Sequence, residues 1–134
     1  MSPSRKRQRA EKIAEATGEG SGPPSPGSVY KAHRSILIGG DAHDAKRRVA
    51  AIKSPPGPPD MWITLGRTTT DQRPGDLESP AQPDCSFDKR GWFSMRFKHT
   101  IYTSDLGNET NCPYQGELSE PSRIKVLAYY DECS

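Results

Sequence analysis

The chain has 134 residues, only 31% of them hydrophobic, with 12 Gly and 13 Pro. That is material for one small domain and excludes a large multi-domain core. The net charge of +2 is unevenly spread: residues 1–53 carry 11 Lys/Arg against 5 Asp/Glu, and residues 54–134 carry 8 against 12. A basic head on an acidic body points the head at a polyanion, such as nucleic acid, acidic lipid or an acidic protein.

Residues 1–28 are expected to be a disordered basic arm and a Gly/Ser/Pro linker. Arg5, Lys6, Arg7, Arg9 and Lys12 crowd into the first dozen positions. This density suits phosphate contacts, and Lys6-Arg7-Gln8-Arg9 also has the form of a nuclear import signal. The two uses draw on the same residues, so nucleic acid and an import receptor are both candidate partners of the arm. Residues 17–28 cannot build a core. Ser25-Pro26 is one of four Ser-Pro pairs, with Ser2-Pro3, Ser54-Pro55 and Ser79-Pro80. Each is a candidate for proline-directed phosphorylation, which would add about −1.5 to −2 charge.

Residues 29–53 are expected to form a short strand, around Ile36-Leu37-Ile38, and then a helix over 41–53. Asp41 can cap that helix, and Ala42, Ala45, Val49 and Ile52 recur at three- and four-residue spacing. Lys46, Arg47 and Arg48 then become a secondary basic surface. Residues 54–60, Ser-Pro-Pro-Gly-Pro-Pro-Asp, favour polyproline II and are expected to be a stiff spacer.

Residues 61–134 are expected to fold as a small antiparallel β domain with long polar loops, its sheet running to about residue 131. Met61, Ile63 and Leu65 alternate against Trp62 and Thr64. Residues 71–86 are turn-rich and expected as a disordered or binding loop. The longest alternation is Trp92–Thr103, with Phe93, Met95, Phe97 and Ile101 on one parity. Residues 109–122 suit another polar excursion. Arg123–Tyr130 is expected to be the last strand, pairing with 92–103. The outward positions of the central strand, Trp92, Arg96, Lys98 and Tyr102, with Lys89 and Arg90 just ahead of it, give a second basic and aromatic set. Cations interleaved with aromatics can combine phosphate contact with base stacking.

The remaining chemistry is thin. Cys85, Cys112 and Cys133 are odd in number and widely spaced, which fits a reducing compartment. They form no C-x-x-C, and His33, His43 and His99 form no H-x-x-x-H, so neither a metal nor another cofactor is expected. His99 falls in an apolar-face slot and reads as a packed histidine. No nucleophile motif supports catalysis. Neither a signal peptide nor a membrane span is expected.

The expected fold class is thus mainly β, with one short helix and a disordered basic arm. In layout, a basic arm, a Pro/Gly linker and a compact β unit, the chain is similar to small viral coat, matrix or accessory proteins. The expected function is non-enzymatic binding in the nucleus, or in nucleus and cytoplasm. The arm would engage nucleic acid or an import receptor, and the β unit would self-associate or dock a protein. The alternative is a nuclear adaptor acting through its Pro-rich and Ser-Pro segments without touching nucleic acid.

Overall fold

The computed structural model describes residues 23–42 and 44–134. The expected arm, Arg5 to Lys12, lies outside the described residues, as does His43. Among the described residues the fold is mainly β, as expected, with one α-helix. Six strands form a single antiparallel sheet: β1 (Ser28–His33), β2 (Lys46–Lys53), β3 (Met61–Thr68), β4 (Leu77–Ser79), β5 (Gly91–Tyr102) and β6 (Tyr114–Glu117), in the order β4-β5-β3-β2-β1-β6. One helix, α1 (Ser122–Cys133), follows β6.

Two local expectations are reversed. The stretch expected as a helix over 41–53 contains β2. Val49 and Ala51 pack on one face of the sheet, Ala50 and Ile52 on the other. A strand buried on both sides reads as a continuous apolar run, and its small alanines imitate a helical stripe. The stretch expected as the last strand is α1. Pro121 precedes its first turn, and the Glu120 carboxylate accepts bonds from the Ile124 amide (3.3 Å) and the Arg123 Nε (2.6 Å). Strand alternation would bury Ile124 and Ala128. Instead both are exposed, and Val126 and Tyr130, one helical turn apart, enter the core. The partners of β5 are therefore β3 and β4.

The sheet also begins earlier than expected. β1 and β2 belong to it, so the Pro-rich segment 54–60 is the connection between the paired strands β2 and β3. Ile36-Leu37-Ile38 is not a full strand. Residues 34–36 make a 3-10 turn, and Ile38 then exchanges two backbone hydrogen bonds with Thr100, at 3.0 and 2.9 Å. With the Asp41 amide on the Arg96 carbonyl (2.9 Å), this strap covers the edge of β5 beyond β4. An uncovered edge is a template for unwanted pairing, and the strap removes most of this one.

The loop expected over 71–86 is ordered and holds β4. Its last part bridges the two ends of the sheet. The Gln82 side chain donates to the Glu117 carbonyl (2.8 Å) and accepts from the Ser119 amide (3.1 Å), and Ser86 Oγ meets the Gln115 side chain. The sheet is thereby curled, with β6 linked back to the β4–β5 side. Inside lie Val29, Ala50, Ile52, Leu65, Cys85, Phe87 and Phe93, with Val126 and Tyr130 from α1. Outside, the 34–41 and 103–113 segments cover a second cluster of Tyr30, Val49, Ala51, Ile101 and Cys112.

β5 serves both clusters because it is irregular. From Lys98 to Phe93 it takes five residue steps where β3 takes two, from Leu65 to Arg67. An odd excess reverses parity. Phe93 therefore points into the inner core and Ile101 into the outer one, so the single apolar face expected for this strand is split in two.

Candidate anion-binding site

The start of β2 and the end of β3 lie side by side, Val49 opposite Gly66. Segment 86–89 runs past them. A cavity of about 240 Å³ opens here, lined by Asp44, Lys46, Arg47, Arg48, Arg67, Thr68, Thr69, Thr70, Ser86, Asp88 and Lys89. Five of these side chains are cationic and two anionic. Four come from the expected basic sets: Lys46, Arg47 and Arg48 from one, Lys89 from the other.

The cations divide by what already holds them. Arg67 is structural. Its guanidinium lies 3.9 Å from the centroid of the Phe87 ring. Its Nη2 donates to the carbonyls of Ser79 (3.1 Å), Pro80 (3.2 Å) and Lys89 (2.7 Å), and Nε donates to Ser79 Oγ (3.1 Å). This one side chain ties β3 to β4 and to the turn before β5. Burial draws its pKa down to about 10, so it stays cationic at neutral pH. Arg47 is also committed. It lies 3.7 Å over Phe97, pairs with Asp44 at 2.7 Å and donates to the Arg67 carbonyl (3.2 Å). Gly66 makes room for it, since a Cβ there would sit 2.5 Å from Arg47 Cδ and 2.7 Å from Phe97 Cβ.

Lys46, Arg48 and Lys89 have no ion pair or side-chain hydrogen bond among the described residues. Lys46 and Lys89 are exposed. Arg48 is half-buried, and its Nε is fully buried with no acceptor. A buried donor left unpaired costs about 1–3 kcal/mol, so an acceptor is wanted there. Asp88 is the one lining carboxylate without an ion pair among the described residues. Arg48 also stands close enough to Arg67 for the two charges to repel. The cavity is therefore an electropositive recess with hydroxyls on its wall.

The other expected surface residues are not brought together. Arg96 is spent internally, on Asp71 (3.0 Å), on Asp76 (3.3 Å) and over the Phe97 ring at 4.6 Å. Arg90 pairs with Glu78 at 3.4 Å and lies 5.3 Å from the half-buried Trp92 ring. Lys98 lies 6.0 Å from the Tyr130 ring on the helix side. Tyr102 is exposed at the far end of β5, ten residues or roughly 30 Å along the strand from Trp92. The interleaved platform is thus broken by the irregularity in β5 and by ion pairing. Arg67 was missed from sequence. Its one hint is a lone cation after a β-rich apolar run, Met61 to Gly66, where alternation places it beside Leu65.

His99 is fully buried, as its apolar slot implied. Its Nδ1 meets the Gly39 carbonyl at 2.5 Å and helps hold the strap. Among the described residues, no helix is long and apolar enough to cross a membrane. No protein-family model, curated protein or solved structure matches the chain.

Proposed function

We propose that the chain is a non-enzymatic nucleic-acid-binding protein of the nucleus, gripping phosphate with its basic arm and with the cavity at the β2–β3 end. The observation that carries this is the meeting of Lys46 and Arg48 of β2 with Lys89 from the turn before β5, cations uncommitted among the described residues, on one recess beside the buried Arg67. Cations that only solubilise a surface have no reason to converge. The recess is smaller than pockets that enclose drug-sized ligands, about 300–1,000 Å³, so it fits a phosphate group with its base left outside. Contact of that kind is sequence-independent and salt-sensitive.

The test is a fluorescence anisotropy titration of the full chain with a labelled single-stranded oligonucleotide between 50 and 300 mM salt. Affinity should fall steeply. Lys46→Gln with Lys89→Gln should reduce the log–log slope by about 1.4, at about 0.7 per phosphate contact. Deleting residues 2–12 should lower affinity further. A flat salt dependence, or an arm deletion that alters cellular location and leaves affinity untouched, would favour the adaptor role over nucleic-acid binding.

A further inference from the structure

Resting on the nucleic-acid role just proposed, we infer that the recess formed by Lys46, Arg48, Arg67 and Lys89 seats a terminal phosphate monoester, the 5′-phosphate end of a single strand, in preference to an internal phosphodiester. Three observations converge on this.

The first is charge. Three cations uncommitted among the described residues face the recess together with one unpaired carboxylate, Asp88. With the buried Arg67, whose acceptors are all neutral, the recess has a net of three positive charges, which favours a monoester carrying close to two negative charges at neutral pH. An internal phosphodiester carries one.

The second is Arg48, which lines the recess and has no ion pair or side-chain hydrogen bond among the described residues; a guanidinium can donate to two oxygens of one phosphate at once. A monoester has three terminal oxygens to share between Arg48 and the two lysines. A diester has two.

The third is enclosure. The recess is backed by Arg67, fixed on Phe87 and on three carbonyls, and walled by Thr68–Thr70 and Ser86. At about 240 Å³ it takes a phosphoryl group and a few waters, each with a share of roughly 30 Å³. A strand end can enter such a recess without bending back out.

The experiment compares two 3′-labelled oligonucleotides of one sequence, bearing 5′-phosphate or 5′-hydroxyl, against the full chain at pH 7.5. The 5′-phosphate form should bind at least about tenfold tighter. The preference should shrink at pH 5, below the second phosphate pKa of about 6. It should vanish in Arg48→Gln and in Lys46→Gln with Lys89→Gln, and persist in Lys125→Gln, a change on the exposed face of α1. Both lysines of the pair are exposed, so that variant tests the inference even if Arg48→Gln does not fold. Equal binding of the two oligonucleotides overturns the end preference and leaves the nucleic-acid role standing. Binding of neither overturns both. A preference that survives the lysine pair puts the seat elsewhere and overturns the assignment. So does a phosphoserine peptide that displaces the labelled strand more effectively than an unlabelled 5′-phosphate oligonucleotide.

Discussion

Replacing Arg67 with Met should be among the most damaging single changes in the sheet. Methionine keeps the apolar stem but stops short of the guanidinium, and it offers nothing to the carbonyls of Ser79, Pro80 and Lys89 or to Ser79 Oγ. A buried charge swapped for an apolar side chain is often harmless when its partner is swapped too. Here the partners are backbone carbonyls, which no substitution removes. Each acceptor stranded out of water costs about 1–3 kcal/mol. Those of Pro80 and Lys89 lie nearer the surface and can recruit water, so the total comes to about 3–5 kcal/mol. Against a usual stability of about 5–15 kcal/mol that is a large fraction. With a urea slope of about 1.5–2 kcal/mol per molar, the midpoint should move down by about 2 M. Arg67→Lys should recover little of it, because one ammonium cannot span three separated carbonyls. Hydrogen exchange should locate the damage first at Leu77–Ser79 and residues 89–91, the backbone that Arg67 ties down. A midpoint shift below about 0.5 M, or unchanged protection at those amides, would refute this account of Arg67.

Other outcomes follow from the strap, the buried histidine and the thiols. Gly40→Ala should cost well over 2 kcal/mol in chemical denaturation, because φ there is +65° and a Cβ would overlap the Lys98 carbonyl. Gly39→Ala, at φ +79° with nothing within 4 Å, should cost only about 1 kcal/mol. Burial, aided by Arg47, holds the His99 imidazole below its ordinary 6.5 against the opposing effects of the Gly39 carbonyl and Asp41. The unfolded chain therefore takes the proton first. The His99 contribution is complete above pH 6.5 and declines on acidification, by up to about 1.4 kcal/mol per pH unit, until the folded pKa is reached. Urea midpoints at pH 7.5, 6.5 and 5.5 should show this decline, and His99→Gln should flatten it. Ellman's reagent at pH 8 should titrate one thiol quickly, the exposed Cys133. Cys85 is fully buried and burial pushes Cys112 up to about 12, so these two should react only on unfolding.

What could be read from sequence depended on how each element is buried. β3 and β5 announced themselves through alternation. β2 has partners above and below, so its apolar residues show no period of two, and its alanines fit either geometry. For α1 the misleading feature was Ile124-Val126-Ala128-Tyr130, which alternates by accident. Only packing reveals that Val126 and Tyr130 are wanted and Ile124 is not. The lysines and arginines of the recess were legible as residue types. Which of them stay free was not. That is decided by Asp44 reaching Arg47, by Asp71 and Asp76 reaching Arg96, and by Glu78 reaching Arg90, pairings set by strand register and loop path. Arg67 lay in plain view at the end of a strand, but its value depends on three carbonyls that only the fold gathers.

The place of β1 within the sheet has a consequence for synthesis. It sits between β2, its neighbour in the chain, and β6, more than eighty residues downstream. Until Tyr114–Glu117 clears the ribosome, one side of β1 has no strand to pair with, and until α1 follows, the inner cluster lacks Val126 and Tyr130. The curled sheet therefore cannot be completed until the segment through Tyr130 has been made, and nascent fragments ending before residue 114 should be chaperone clients.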